Sequence, residues 1–139
     1  MSDIIFTSSA TAKNGREGHV KSDDGLIDFK LVNPANNEKD KGSNPEQLFA
    51  AAYSACFDGA LNAVASSKKK EIDSETTAEV SFCKDKKDNG FKISVILNIK
   101  IKGVSTEEAE ELAEAAHKVC PYSKATRGNI DVKLNPQTN

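Results

Sequence analysis

An α+β domain with mostly antiparallel strands follows from three patterns in the 139-residue sequence. Phe91, Ile93, Val95, Leu97, Ile99 and Ile101 hold period two, the mark of a half-buried strand. Asn44-Pro45 opens a long run of small apolar residues with a helix-start signature. Asp23-Asp24-Gly25 and Asp88-Asn89-Gly90 lie between extended runs, where tight turns join antiparallel strands.

The elements follow in order. Residues 3–9, with Ile4 and Phe6, are expected to form a first strand. Residues 19–21 and 26–32 read as a hairpin about Asp23-Asp24-Gly25, because glycine accepts the positive φ of a tight turn. Residues 33–43 are polar, contain Pro34 and Gly42, and read as a surface loop. Asn44 then caps a helix, with Pro45 at its first position and Gln47 three residues after the cap.

From Leu48 to Ala65 that helix is apolar nearly all round, so it requires burial on several sides. A chain this size has little material to cover it, and a second copy of the chain would supply the cover. Residues 76–82 alternate, with Thr76, Ala78, Val80 and Phe82 on one face. Gly103 ends the strand that starts at Phe91. Ser105 and Glu108 form a capping box, and Ala109, Leu112, Ala113 and Ala116 make one helical stripe. His117 and Lys118 add positive charge at that helix's end, and Pro121 stops it just after Cys120. Ile130, Val132 and Leu134 alternate as a last strand. Residues 1–139 are expected to form a single domain.

With 19 basic and 21 acidic residues, the net charge of −2 argues against a nucleic-acid partner. Lys68-Lys69-Lys70 reads as a solvated helix end. Residues 1–10 have neither a basic nor an apolar leader region. No run approaches the roughly 18 apolar residues of a spanning helix. A cytoplasmic protein without a membrane partner is therefore expected. Three cysteines at distant spacings suit a reducing compartment better than a secreted disulfide framework.

Each cysteine has a plain reading. Cys56, among Ala and Phe in the long helix, reads by position as a small core residue. Burial raises a thiol pKa, and about three turns past the cap the helix dipole has faded. A reactive Cys56 therefore needs a cation from elsewhere. Cys120 sits at a helix end, a place often partly exposed. The two cysteines lie on different helices, so a disulfide between them is open but does not follow from spacing. Cys83 is expected to point toward solvent or a partner, with Glu79 and Ser81 on its face, and to be incidental. There is no C-x-x-C, and the His117–Cys120 step alone is weak evidence for zinc. His117 reads more simply as a helix C-terminal charge.

The segment Asn44-Pro45-Glu46-Gln47-Leu48-Phe49-Ala50-Ala51-Ala52-Tyr53-Ser54-Ala55-Cys56-Phe57 resembles the organic hydroperoxide resistance family of the OsmC superfamily. A second block agrees, from His117-Lys118-Val119-Cys120-Pro121-Tyr122-Ser123 through Arg127-Gly128-Asn129 to Val132. Asn14-Gly15-Arg16-Glu17-Gly18 resembles the family's first hairpin region, so the likeness spans essentially the whole chain. Ala52, Ser54 and Lys124 depart from the Gly, Ala and Asn expected there, and none removes a catalytic group. Lys124, near Cys120, bears on how a reductant docks.

The resemblance implies an intertwined homodimer, with strands wrapped around two central helices. It implies that Cys56 is the peroxidatic cysteine and Cys120 the resolving one, with Arg16 and Glu46 beside the nucleophile. Read alone, Arg16 is a loop charge and Glu46 a helix N-terminal carboxylate. In the implied roles, the Arg16 guanidinium stabilises the Cys56 thiolate at any physiological pH. Glu46 holds the guanidinium by a bidentate contact. Glu46 and Cys56 are ten residues apart, about 15 Å along one helix, so if both line one site Arg16 must bridge them or one must come from the partner subunit. An active site at the dimer interface, built from both chains, is expected.

The thiolate would attack the outer peroxide oxygen, leaving a sulfenic acid that Cys120 converts to a disulfide. Phe49 and Phe57 would wall the site and favour alkyl or lipid hydroperoxides. A dithiol must reopen the disulfide; the resemblance suggests a lipoylated protein. No cofactor or metal is required. A general thiol–disulfide oxidoreductase would want the absent C-x-x-C. A non-enzymatic redox sensor or small-ligand binding protein stays open.

Overall fold

The computed structural model describes residues 3–36 and 39–138. Its contacts divide the chain into two compact units, residues 1–48 and 49–139.

In the first unit, β1 (Ala10–Lys13), β2 (His19–Ser22) and β3 (Asp28–Lys30) form an antiparallel sheet in that order. The Asp-Gly turn forms where expected. Gly25 takes φ 78°, the Leu26 N–H donates to the Asp24 carboxylate at 3.0 Å, and the Ser22 N–H donates to the Ile27 carbonyl at 2.8 Å. The Ser22 hydroxyl and that backbone N–H hold the Asp24 carboxyl below its ordinary pKa.

The strand expected over residues 3–9 is not present; pairing begins at Ala10. Ile4, Ile5 and Phe6 are 79, 94 and 80% exposed, so their apolar pattern is left open to solvent among the described residues. The polar loop ends at a parallel bridge between Leu31 and Ser43, which ties the end of the sheet to the start of the long helix. That helix, α1 (Pro45–Ser67), is capped as expected, with the Gln47 N–H donating to Asn44 Oδ1 at 2.8 Å.

In the second unit, β4 (Asp73–Asp85) and β5 (Gly90–Lys102) form a long antiparallel pair, and β6 (Val132–Gln137) adds to β5 in parallel. Asn89 takes φ 62° at the hairpin turn. Val95, Leu97, Ile99 and Ile101 alternate inward, as the period of two requires. Helix α2 (Thr106–Val119) starts at the Ser105 cap, with the Glu108 N–H on the Ser105 hydroxyl. Its Ala109, Leu112, Ala113 and Ala116 stripe is buried.

Pro121 ends α2 but also starts a short helix, α3 (Pro121–Thr126), which the sequence reading missed. The reason is local: proline cannot continue a helix yet suits the first position of a new one. The Lys68–Lys70 cluster lies at the end of α1, where Lys69 takes φ 57° and Lys70 pairs with Glu108.

Tyr53, Phe57, Leu61 and Ala65 of α1 complete the core, one residue per turn. The requirement for burial on several sides is not met among the described residues. Ala51, Ala55, Gly59 and Ala63 stand exposed on another face of α1. By length and composition alone α1 is long and apolar enough to cross a membrane, which corrects the reading that nothing approached that standard. Its buried stripe belongs to the core. Phe82 does not follow Val80 inward; it is 51% exposed and stacks on Phe91 at 5.0 Å.

Candidate active site

The four residues singled out in the sequence meet as two side-chain pairs, one in each unit. In the second unit, the core stripe of α1 leaves Cys56 half-buried beside Phe57. The α2–α3 corner brings Cys120 against it. The Cys120 sulfur is wholly buried, contrary to the exposure expected at a helix end, because α3 folds over it. Both cysteines are free thiols, and their sulfurs are 3.6 Å apart, in van der Waals contact.

Cys120 caps α3, its sulfur accepting the Ser123 N–H at 3.5 Å. The Cys56 thiol is pushed above its ordinary pKa. Burial is the main cause, and the hydrogen bond and charge of Cys120 add to it. A hydrogen bond from the Tyr122 backbone works the other way and favours the thiolate.

Tyr122 also closes an aromatic triangle. Phe49 lies 5.9 Å edge-on to Tyr53 and 6.2 Å from Tyr122, and Tyr53 lies 5.9 Å from Tyr122. Phe49 is thus half-buried among rings, whereas Phe57 is fully buried in the core and walls no open surface. Behind the sulfurs runs a buried polar chain. The Tyr53 hydroxyl is 2.8 Å from the Ser123 hydroxyl and 3.1 Å from that of Thr126, and Ser123 Oγ is 2.8 Å from His117 Nδ1.

His117 is not the C-terminal charge read from sequence. Burial first, then the positive charge of Arg127, lower its pKa, with Glu114 opposing. Sequence reasoning missed this chain. Its only trace was a tyrosine on an apolar helix stripe, since a buried phenol needs a partner.

In the first unit, the Arg16 turn is fixed by backbone. Asn14 and Gly15 take φ 61° and 63°, and a Cβ on Gly18 would sit 1.8 Å from the Lys13 carbonyl oxygen. Arg16 Nη1 donates to both oxygens of Glu46, at 2.7 and 3.0 Å. One nitrogen therefore serves the whole carboxylate, in place of the two-pronged fork expected. Glu46 is held on the first turn of α1, and its side chain is 13% exposed against 49% for Arg16.

Cys83 is half-buried, with its sulfur 3.7 Å from the Ser94 hydroxyl. It does not touch the sulfur pair among the contacts described. No group of three or more His, Cys, Asp or Glu among the described residues could hold a metal.

The family model of OsmC-like proteins matches residues 38–135. The chain is 56% identical over 131 residues to organic hydroperoxide resistance protein OhrB of Bacillus subtilis, covering 94% of this chain and 96% of that one. It is 45% identical over 133 residues to the organic hydroperoxide resistance protein of Xanthomonas axonopodis pv. citri, covering 94% of each. The crystal structure of Bacillus subtilis OhrB matches with a TM-score of 0.92 at 54% identity, over 95% of this chain and 98% of that one. Sequence and fold agree over nearly the whole length, and the chain belongs to the organic hydroperoxide resistance family within the OsmC-like proteins.

Proposed function

We propose that this protein acts in organic hydroperoxide resistance as a cysteine-based peroxidase, with Cys56 as nucleophile and Cys120 as resolving thiol. The observation that carries the reading is the 3.6 Å contact between two free sulfurs on separate helices. The Cys56 thiolate attacks the outer oxygen of the hydroperoxide. The O–O bond breaks, the alkoxide takes a proton and leaves as alcohol, and the sulfur becomes a sulfenic acid. The Cys120 thiolate then attacks that sulfur, the S–O bond breaks, and the departing hydroxide leaves as water. An external dithiol, of the kind a lipoylated protein carries, reopens the disulfide by exchange.

Burial pushes Cys56 up, so the thiolate needs a cation. The Arg16 guanidinium, held by Glu46, is assigned that role. The active protein is a homodimer with both units acting as one cytoplasmic domain. The exposed small-residue face of α1 and the exposed Ile4, Ile5 and Phe6 support this, as surfaces a second copy would cover. The names of the relatives support an organic hydroperoxide as substrate.

The test is to add cumene hydroperoxide to reduced protein and follow thiol loss by mass. Rapid stoichiometric disulfide formation, abolished by Cys56→Ser, is the expected result. The raised pKa of Cys56 favours a second reading, a redox sensor or ligand-binding protein with an unactivated thiol. Slow oxidation spread over Cys56, Cys83 and Cys120 would establish that reading instead.

A further inference from the structure

We propose that His117 is a positioning residue for disulfide closure: through the Ser123 hydroxyl it fixes the α3 backbone that aims the Cys120 sulfur at Cys56. The inference rests on the peroxidase reading for its physiological oxidant, and on geometry for the rest.

Cys120 makes two contacts that define its direction. Its sulfur accepts the Ser123 N–H at 3.5 Å and meets the Cys56 sulfur at 3.6 Å. The first contact depends on where residue 123 holds its backbone. A six-residue helix such as α3 has little intrinsic stability, because a helix this short barely exceeds its nucleus. Side chains from longer elements must hold it.

They converge on Ser123, which is wholly buried. Its hydroxyl lies 2.8 Å from the Tyr53 hydroxyl of α1 and 2.8 Å from His117 Nδ1 of α2. A second clasp closes the same corner, where Arg127 Nη1 donates to the His117 carbonyl at 2.7 Å. Among the described residues no buried side-chain polar atom is left without a partner. The corner is therefore fully satisfied only while Ser123 stays in place.

The proton order is also constrained. Burial and Arg127 disfavour the charged ring, so His117 offers one ring nitrogen as an acceptor. With the proton on Nε2, Nδ1 accepts from the Ser123 hydroxyl. The Ser123 oxygen is then available to the Tyr53 hydroxyl, and the Thr126 hydroxyl donates to the Ser123 carbonyl at 3.2 Å.

Closure brings the sulfurs from 3.6 Å to a bond of about 2.05 Å. The Cys120 sulfur forms the new bond as the S–O bond of the sulfenic acid breaks and water leaves. A loosened corner lets the sulfur sample wrong directions, and misplacement on this scale has a large kinetic effect. The first step takes place at Cys56, whose hydrogen bond to α3 comes from the Tyr122 backbone and not from His117 or Ser123.

The experiment separates the two steps. Reduced wild type, His117→Leu, His117→Asn and Ser123→Ala are mixed with one equivalent of cumene hydroperoxide. Sulfenic acid is trapped with dimedone, and disulfide is followed by quenched mass spectrometry. His117→Leu and Ser123→Ala are expected to leave sulfenic acid formation within about twofold of wild type. Closure is expected to slow by about tenfold or more, with sulfinic acid accumulating under excess peroxide. His117→Asn, whose amide oxygen sits near the position of Nδ1, should recover most of the closure rate; a bulk packing role for the ring would show no such rescue.

Closure is also driven with diamide, which needs no peroxide chemistry. Slowed closure with both oxidants supports the assignment, and unaltered closure in both His117→Leu and Ser123→Ala overturns it. A wild type that closes with diamide but ignores the hydroperoxide sinks the peroxidase reading while the positioning role is still measured.

Discussion

The sulfur pair and the Arg16–Glu46 pair are built in opposite ways. Cys56 and Cys120 are held by side-chain packing: a core stripe of α1, a buried stripe of α2 and a polar chain behind them. Arg16 is held by backbone shape, a turn of two positive-φ residues and one glycine with no room for a side chain. One pair is deep and preset, the other lies on a half-exposed loop. The proposed peroxidase chemistry would gain from this division. The thiols must keep one geometry, while the cation can tolerate small movement because charge acts over distance.

The largest effect should follow from Cys56→Ser, which is expected to lower hydroperoxide consumption to the rate of a buffer blank. Cys120→Ser should leave a single turnover intact but drive Cys56 to sulfinic acid under excess peroxide, read as a gain in mass. Retained multiple turnover in either variant would dissolve the assignment of roles.

Next comes the cation. Arg16→Ala is expected to raise the midpoint of the pH profile of Cys56 alkylation by about 1–3 units, the range of a lost charge partner. Glu46→Gln should give a smaller shift in the same direction, because the guanidinium stays but loses its anchor. An unchanged alkylation profile in Arg16→Ala would detach the two pairs from each other.

Backbone against packing is then tested by two small substitutions. Gly18→Ala puts a methyl group against the Lys13 carbonyl and should destabilise the Arg16 turn by about 1–3 kcal/mol. Its alkylation profile should shift as in Arg16→Ala while closure with diamide stays normal. Tyr53→Phe removes a hydroxyl from the buried chain and should lower stability by about 1–3 kcal/mol in urea. Equal effects of the two on diamide closure would erase the distinction.

How much of this was legible follows the same division. The strand from Phe91, the capped helix from Asn44 and the α2 stripe were readable because period and cap chemistry are local. Strand β1 was not, because Ala10-Thr11-Ala12-Lys13 has no apolar pattern and pairs only because β2 folds back on it. Residues 3–9 misled because Ile4 and Phe6 alternate yet stay exposed, and alternation alone does not make a strand.

Of the site, the four residues came from resemblance: read alone, Cys56 and Cys120 are structural, Arg16 is a loop charge and Glu46 a helix N-terminal carboxylate. Position along the chain does not encode the depth of Cys120, since α3 hides in a proline that also reads as a stop. The role of His117 was invisible for a related reason. A histidine in a last helical turn suits the helix dipole, and only the tertiary contact with Ser123 turns it into a neutral acceptor.

That histidine gives the smallest effect and separates burial from surface charge. In the unfolded chain its pKa lies near 6.5. In the folded chain burial, with Arg127, lowers it. Below 6.5 the unfolded chain therefore binds a proton that the folded chain refuses, so stability rises with pH in that window. The contribution is complete above about pH 6.5 and is lost as pH falls through the lowered value. His117→Asn has no such titration. The stability difference between wild type and His117→Asn, read from urea midpoints, should shrink as pH falls from about 7 to about 5. A difference that stays constant would mean the ring takes up its proton as readily in the folded chain as in the unfolded one. The Ser123 hydroxyl would then no longer find an acceptor at Nδ1, and the packed half of the comparison would lose its anchor.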